Sequence, residues 1–440
     1  MIGAVGLITC LAFETLATTN AMPTIVATLG SDRWYSLTVG VVLAGQILST
    51  VVTGWVSDRY GVRLPLLTGV SGFALGATIA GLAPNLALFI IGRAVQGLGS
   101  GMVIVPLMVL IGAIVDPKRR PTFFAAFSFA WVIPSMIGPT VSGYIVDHWH
   151  WRAIFLIIVP LALVTFIPLT PILSAAPRTE RDASHLKKPA WLAAILTGIA
   201  LVAWQSAAGA TSIIIMLGMV AGGALILILC LPRLFPAGTL RASRGVPAMV
   251  ATRLSAMGSM IGIEMFIPLT LQRIHLWTPT ASGWALVIGS VTWTLGSWVQ
   301  SRITGSQRRI HLPRIGTLMV CVGTVITALL IVPTVSTAVA LTGWAIVGFG
   351  MGLALTTTSD LVLAITPQER HGTVSAALQV SDAAGPALAM GMIAVATAGW
   401  THATPSGSPA LHLIPAFAVA ILLAVMAFVA FERNRGLRIE

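Results

Sequence analysis

From the first residue to about Phe431 the chain is a succession of apolar segments with only short loops between them. Each segment, at about 20 residues, is long enough to cross a hydrocarbon core of roughly 30 Å. In lipid every backbone N–H and C=O must be paired within the protein, so segments of this length have to be helices. Only 9% of the 440 residues are charged, 56% are hydrophobic and the mean hydropathy is +0.94. A soluble domain carries about 25% charged residues, which excludes that class for the whole chain. The first segment lacks a basic n-region and a small-residue cleavage site and runs on through Glu14 to Pro23, so it is expected to span rather than to be removed.

Gly, Pro and charge mark spans near 3–28, 34–57, 63–83, 86–115, 121–146 and 151–173, then two plainer ones near 190–207 and 211–231. Six more follow near 247–272, 280–301, 313–333, 336–365, 372–399 and 410–431, fourteen in all. With both termini placed in the cytoplasm, 20 of the 25 Lys and Arg fall in cytoplasmic loops and the tail; Arg33, Arg152 and Arg273 lie outside, and Arg93 and Arg253 within spans. Retention of basic residues on the cytoplasmic side sets orientation, so the formal charge of +12 reads as topology and no nucleic-acid partner is expected. Cys10, Cys230 and Cys321 fall in spans without paired spacing, and the eight histidines show no ligand spacing. Neither metal nor cofactor is called for.

The chain echoes itself. Gly97, Gly99 and Gly101 return as Gly348, Gly350 and Gly352; Pro117 returns as Pro367, and Gly138-Pro139 as Gly385-Pro386. The order is kept at nearly constant offset, so spans 1–6 match spans 9–14 in the same sense across the membrane. The expected organisation is residues 1–175 as an N-terminal six-helix half, 176–245 as a linker with two extra transmembrane helices, and 246–440 as a C-terminal six-helix half with its tail. Arg93 and Gln96, by contrast, are met at the repeat offset by Trp344 and Val347.

Several motifs carry chemistry. Between spans 2 and 3 stands G-W-V-S-D-R-Y-G-V-R, in which Asp58 and Arg59 pair charges at a helix end and Gly61 permits a tight turn before Arg63. In span 4, Arg93, Gln96, Gly97 and Gly101 share one helical face. An arginine there costs at least ~2.5 kcal/mol to insert and must meet water or a partner. G-L-G-S-G lies inside an apolar helix with no strand before it, which rules out a dinucleotide loop. Span 5 carries Gly138, Pro139 and Gly143, where a missing backbone donor and two thin positions give a bend or a close contact. Glu14 in span 1, Glu264 at offset 250 in the first span of the second half, and Asp382 are carboxyl groups within spans. Burial disfavours their charged form, so they can load and release a proton. Glu264 is expected to face Glu14 across a cavity, while Asp360 lies near a solvated helix end. Asn20, Gln46, Gln96, Gln272, Gln379 and Trp131 are candidates to line a substrate cavity.

These motifs resemble those of the major facilitator superfamily, in its drug:proton antiporter family with 14 transmembrane spans. The Asp58-Arg59 loop looks like the signature that locks the two halves in the outward-facing state, although Val62 replaces one basic residue and G-S-W-V-Q-S-R in the second half has lost the aspartate. R-x-x-Q-G-x-G-x-G looks like the signature whose arginine takes part in proton coupling, and G-P-T-V-S-G like the one that separates antiporters from symporters. Glu14 stands nine residues before Pro23, where relatives commonly carry Asp before an A-L-P sequence. The resemblance implies an all-α integral membrane protein with the major facilitator fold, two pseudo-symmetric six-helix bundles plus two extra helices. It implies a monomer in the cell membrane that exports hydrophobic or cationic small molecules in exchange for protons, and no enzyme. Proton coupling would fall to Glu14, Glu264, Arg93 and Asp382; gating would fall to Asp58, Arg59, Gly61, Arg63, Gly138, Pro139 and Gly143. Export of a lipid or a self-made metabolite, with loose or no proton coupling, stays open as the alternative.

Overall fold

The computed structural model describes residues 2–30, 32–114, 120–175, 191–210, 212–303, 306–367, 371–403 and 409–434; within them the side chains at 32, 55, 58–60, 108–109, 111–114, 120–129, 172, 174–175, 306–308, 371–373, 402–403 and 409 lie outside the description. All regular structure among the described residues is helical. The order is α1 (Ile2–Leu29), α2 (Tyr35–Tyr60), α3 (Arg63–Leu82), α4 (Leu86–Ile114), α5 (Arg120–His148), α6 (Arg152–Phe166), its short continuation α7 (Thr170–Ala175), α8 (Trp191–Ser206), α9 (Ile213–Cys230), α10 (Val246–Arg273), α11 (Pro279–Arg302), α12 (Ser306–Thr327), α13 (Thr337–Ala364), α14 (His371–Ala403) and α15 (Pro409–Glu432). Twelve of the described helices are long and apolar enough to cross a membrane. The two remaining long ones, α5 and α11, have 29 and 24 residues and pack against each other. With them the crossings number fourteen, as the sequence led one to expect.

Each span alternates direction, so loops 30–34, 149–151 and 274–278 share one end of the bundle, the first-turn end. Helix α1 begins and α15 ends at the opposite end, with Gly61, Arg302 and Arg309. The first six spans pack among themselves through α1–α5, α1–α6, α2–α4 and α3–α4, the last six through α10–α14, α10–α15, α11–α13 and α12–α13. The most extensive contacts between the sets are α5 with α11 and α2 with α14, α1 also meets α10 and α11, and α8 rests on both α2 and α14.

In lipid there is little hydrophobic drive between helices, so close approach depends on small residues. The repeated glycines supply it in the same way twice. A Cβ on Gly97 would fall 2.3 Å from the Val42 carbonyl on α2, and one on Gly99 would fall 2.2 Å from Phe73 N on α3. In the second set a Cβ on Gly348 would meet the Gly289 carbonyl on α11 at 2.3 Å, and one on Gly350 the Gly316 carbonyl on α12 at 2.6 Å. Alternate glycines on α4 and on α13 thus clamp the helix between two neighbours. Helix ends are finished locally: Thr278 caps α11, and Arg152 Nη2 donates to the Ala83 carbonyl left open at the end of α3, at 2.6 Å.

Gly99→Leu and Gly350→Leu should each lower the thermal midpoint of the purified protein by several degrees, since overpacking costs about 1–3 kcal/mol or more. Gly218→Leu on α9, where a Cβ meets nothing within 4 Å, should leave it unchanged. Equal damage from all three would contradict the clamp.

Candidate functional site

Gly97 and Gly99 hold α4 against α2 and α3, and Arg93 and Gln96, which lie between those two contacts around the helix, turn to α1. Arg93 Nη1 forms an ion pair with Glu14 Oε1 and donates to Gln96 Oε1 at 2.7 Å, and Thr18 Oγ1 donates to the same Glu14 oxygen at 2.8 Å. Arg93 is 4% exposed and Glu14 2%, so the arginine does not reach for the interface but finds its counter-charge inside. The Phe155 ring lies 5.8 Å from the guanidinium carbon, backed edge-on by Phe89. Such a pair has lost several kcal/mol of hydration per ion, recovered only while both charges and their hydrogen bonds stay matched. The match is incomplete: Arg93 Nε and Gln96 Nε2 have no acceptor among the described residues. Beside them a cavity of about 20 Å³, lined in part by Thr15, Thr18, Val42, Arg93 and Met265, lies between α1, α2, α4 and α10.

Glu264 is 5% exposed and has no ion-pair or hydrogen-bond partner among the described residues. Expected to face Glu14, it shares no bond with it, since Glu14 is committed to Arg93. Its neighbour Met265 is held across the two sets. Thr19 Oγ1 donates to the sulfur at 3.3 Å, and Tyr35 Oη to the backbone carbonyl at 2.5 Å.

Nearer the first-turn end the two sets close on each other. Gly143 would place a Cβ 2.4 Å from the Pro279 carbonyl, and Gly283 one 2.4 Å from the Pro139 carbonyl, so α5 and α11 touch backbone to backbone. Asn20 of α1 sits over this contact. Its Nδ2 donates to the Pro139 and Pro279 carbonyls, both at 2.8 Å, and its Oδ1 accepts from Ser282 Oγ at 3.0 Å. Gln272 Nε2 donates to the Asn20 carbonyl and to Ser282 Oγ, and Thr280 bonds Asp147 through its N–H and its hydroxyl. Asn20 and Gln272, expected on a cavity wall, are therefore spent in the seam. Gln96, expected there too, is spent on Arg93. The buried Pro139 and Gly143 form the contact itself, while Gly138 meets α1 at ordinary distances.

In the second set Arg253 and Asp382 form a bidentate pair at 2.5 and 2.7 Å, and Ser359 Oγ accepts from Arg253 Nη1 at 2.6 Å. Asp382 thus has a cationic partner, which sets it apart from Glu264. Arg253 was visible as an arginine within a span; its partner was not, because Asp382 is 129 residues away. Asp360 pairs with Arg309 near the helix ends and is partly exposed. Gly61 ends α2 at φ 79, its N–H bonded to the Ser57 carbonyl at 3.0 Å, and Arg63 is exposed. The side chains of Asp58 and Arg59 lie outside the described residues. Gln46 is half-buried, while Gln379 and Trp131 are exposed.

The chain matches the sequence profile of the Major Facilitator Superfamily over residues 2–390. It is 26% identical over 386 residues to the multidrug resistance protein Stp of Mycobacterium tuberculosis, covering 86% of this chain and 71% of that one. It is 30% identical over 165 residues to the multidrug transporter protein MdtP of Bacillus subtilis, covering 37% and 30%. The crystal structure of the POT family transporter PepTSo superposes with a TM-score of 0.70 at 13% identity, covering 99% of this chain and 98% of that one, which speaks for the fold alone. With helices, repeat and profile in agreement, the chain belongs to the Major Facilitator Superfamily of multi-pass membrane transporters.

Proposed function

We propose that the protein exports hydrophobic or cationic small molecules from the cell in exchange for protons. The observation that carries this reading is the Glu14–Arg93 pair: a charged carboxylate, a guanidinium and a threonine hydroxyl locked together where ions are costly. Protonating Glu14 removes its charge and leaves Arg93 to find another partner, so the arrangement has two states that differ by one proton. Glu264 complements it. With no counter-ion among the described residues, its charge is balanced either by a proton or by a cationic group on the substrate, and the two compete. On this reading the protein lies in the cell membrane; the basic loops favour a cytoplasmic placement of the termini end, and the closed seam then faces outward. In that frame Asp58, Arg59 and Arg63 act at the opposite, cytoplasmic gate, and Gln46, Gln379 and Trp131 remain candidates for the substrate path. The relatives Stp and MdtP, named for multidrug resistance and multidrug transport, support the choice of cargo.

The test is a screen of hydrophobic cations, ethidium among them, in proteoliposomes with an imposed pH gradient. Gradient-driven movement should occur with the wild type and vanish when the gradient is collapsed; movement indifferent to the gradient would contradict proton exchange. Glu14→Gln should abolish gradient-driven transport and also destabilise the protein by about 3–5 kcal/mol, because Arg93 is left buried and unpaired. Combining Glu14→Gln with Arg93→Gln should restore the thermal midpoint but not the coupling. Recovery of both would reduce the pair to a structural brace.

Glu264→Gln should behave differently. It removes a charge that has no partner among the described residues, so the thermal midpoint should hold or rise while gradient-driven export of a cation is lost. An active Glu264→Gln variant with wild-type rates would remove this residue from the mechanism.

A further inference from the structure

Asn20 is fully buried, and its amide is saturated across two sets of helices. An asparagine amide offers two donors and an oxygen acceptor. Here one donor goes to Pro139 of α5 and the other to Pro279 of α11, while the oxygen takes Ser282 of α11. The Asn20 backbone carbonyl adds Gln272 of α10. One residue of α1 thus joins that helix to α5, α10 and α11 at the first-turn end. The hydrogen bonds that tie α1–α6 to α10–α15 among the described residues all lie in this half of the bundle.

We infer that Asn20 is the positioning residue that latches the first-turn end shut, and that release of its bonds to α10 and α11 sets how readily that end opens. The geometry explains why an asparagine serves. Gly143 and Gly283 let the backbones of α5 and α11 touch, which brings the Pro139 and Pro279 carbonyls close enough for a single NH₂ group to bridge them. When α5 and α11 part, Asn20 keeps its bond to Pro139 within its own set. It gives up Pro279, Ser282 and Gln272, polar groups that must then be met by water. The latch lies six residues along α1 from Glu14, about 9 Å of helix. Thr19, next to Asn20, holds Met265, next to Glu264. The latch is therefore built into the two helices that carry Glu14 and Glu264. It does not rest on proton coupling and can be tested without substrate.

The experiment is double electron–electron resonance on full-length protein in nanodiscs, with Cys10, Cys230 and Cys321 replaced by alanine. Spin labels are attached through Trp149→Cys in the α5–α6 loop and Leu276→Cys in the α10–α11 loop, positions 70% and 83% exposed. The short, closed distance should dominate with Asn20 present. Asn20→Ala should raise the ratio of long to short distances at least about tenfold, since the two side-chain bonds to Pro279 and Ser282 are lost on the closed side of the equilibrium only. Asn20→Asp should raise it further, because a carboxylate would face two carbonyl oxygens. Ser282→Ala should give a smaller shift and add nothing on top of Asn20→Ala. A label pair within the first set, Arg33→Cys with Trp149→Cys, should keep its distance, which general loosening would not allow. An unchanged distribution in a well-folded Asn20→Ala protein would overturn the latch. Should that variant fail to fold, unchanged distances in both Ser282→Ala and Gln272→Leu would overturn it equally.

Discussion

A guanidinium placed within a membrane helix must find an anion, and that requirement shapes the first half of this transporter. Arg93 finds Glu14 on a helix 79 residues earlier in the chain, with Gln96 and Thr18 completing the shell. For the pair to form, α4 must stand close to α1 while remaining clamped to α2 and α3. The glycines on its other faces make that possible. A pair with two unmet donors and a small cavity beside it is held tightly but not completely, which suits an element that must alternate between partners.

The second half shows what the same scaffold does without that demand. Gly348, Gly350 and Gly352 repeat the clamp on α13, but Trp344 takes the position of Arg93 and fills the space against Gly289. The charge in this half moves elsewhere, to Arg253 and Asp382 between α10 and α14. The duplication is thus one of packing, and the ion pairs are individual to each half. Glu264 stands between these arrangements as a buried acid without an arginine among the described residues.

Much of this was legible in one chain. The apolar segments follow from the thickness of a bilayer, the number of crossings from Gly, Pro and charge, and the correspondence of α4 with α13 from glycines at a fixed offset. Arg93, Glu14, Glu264 and Asp382 stood out because ionisable groups in spans are few. Their partners did not, since pairing depends on rotation and tilt of helices far apart in sequence, which a linear pattern does not encode. The same gap leaves Arg253 no more than an arginine within a span and sets Asn20 and Gln272 on a substrate cavity, although packing spends their amides in bonds between helices; Gln96, set there too, gives its oxygen to Arg93 on its own helix. The Gly138–Gly143 motif was read as a bend or a contact. The structure makes it a contact, because the partner glycine, Gly283, lies on α11.

The central claim is that a carboxyl in this core exchanges its proton for cargo, and proton release on binding measures it most directly. Purified transporter in lightly buffered detergent solution can be mixed with tetraphenylphosphonium, a hydrophobic cation, while pH is followed with an indicator dye. The account predicts that binding acidifies the solution in proportion to the cation bound, and that Glu264→Gln diminishes the release. Saturable binding with no release of protons by the wild type would contradict it.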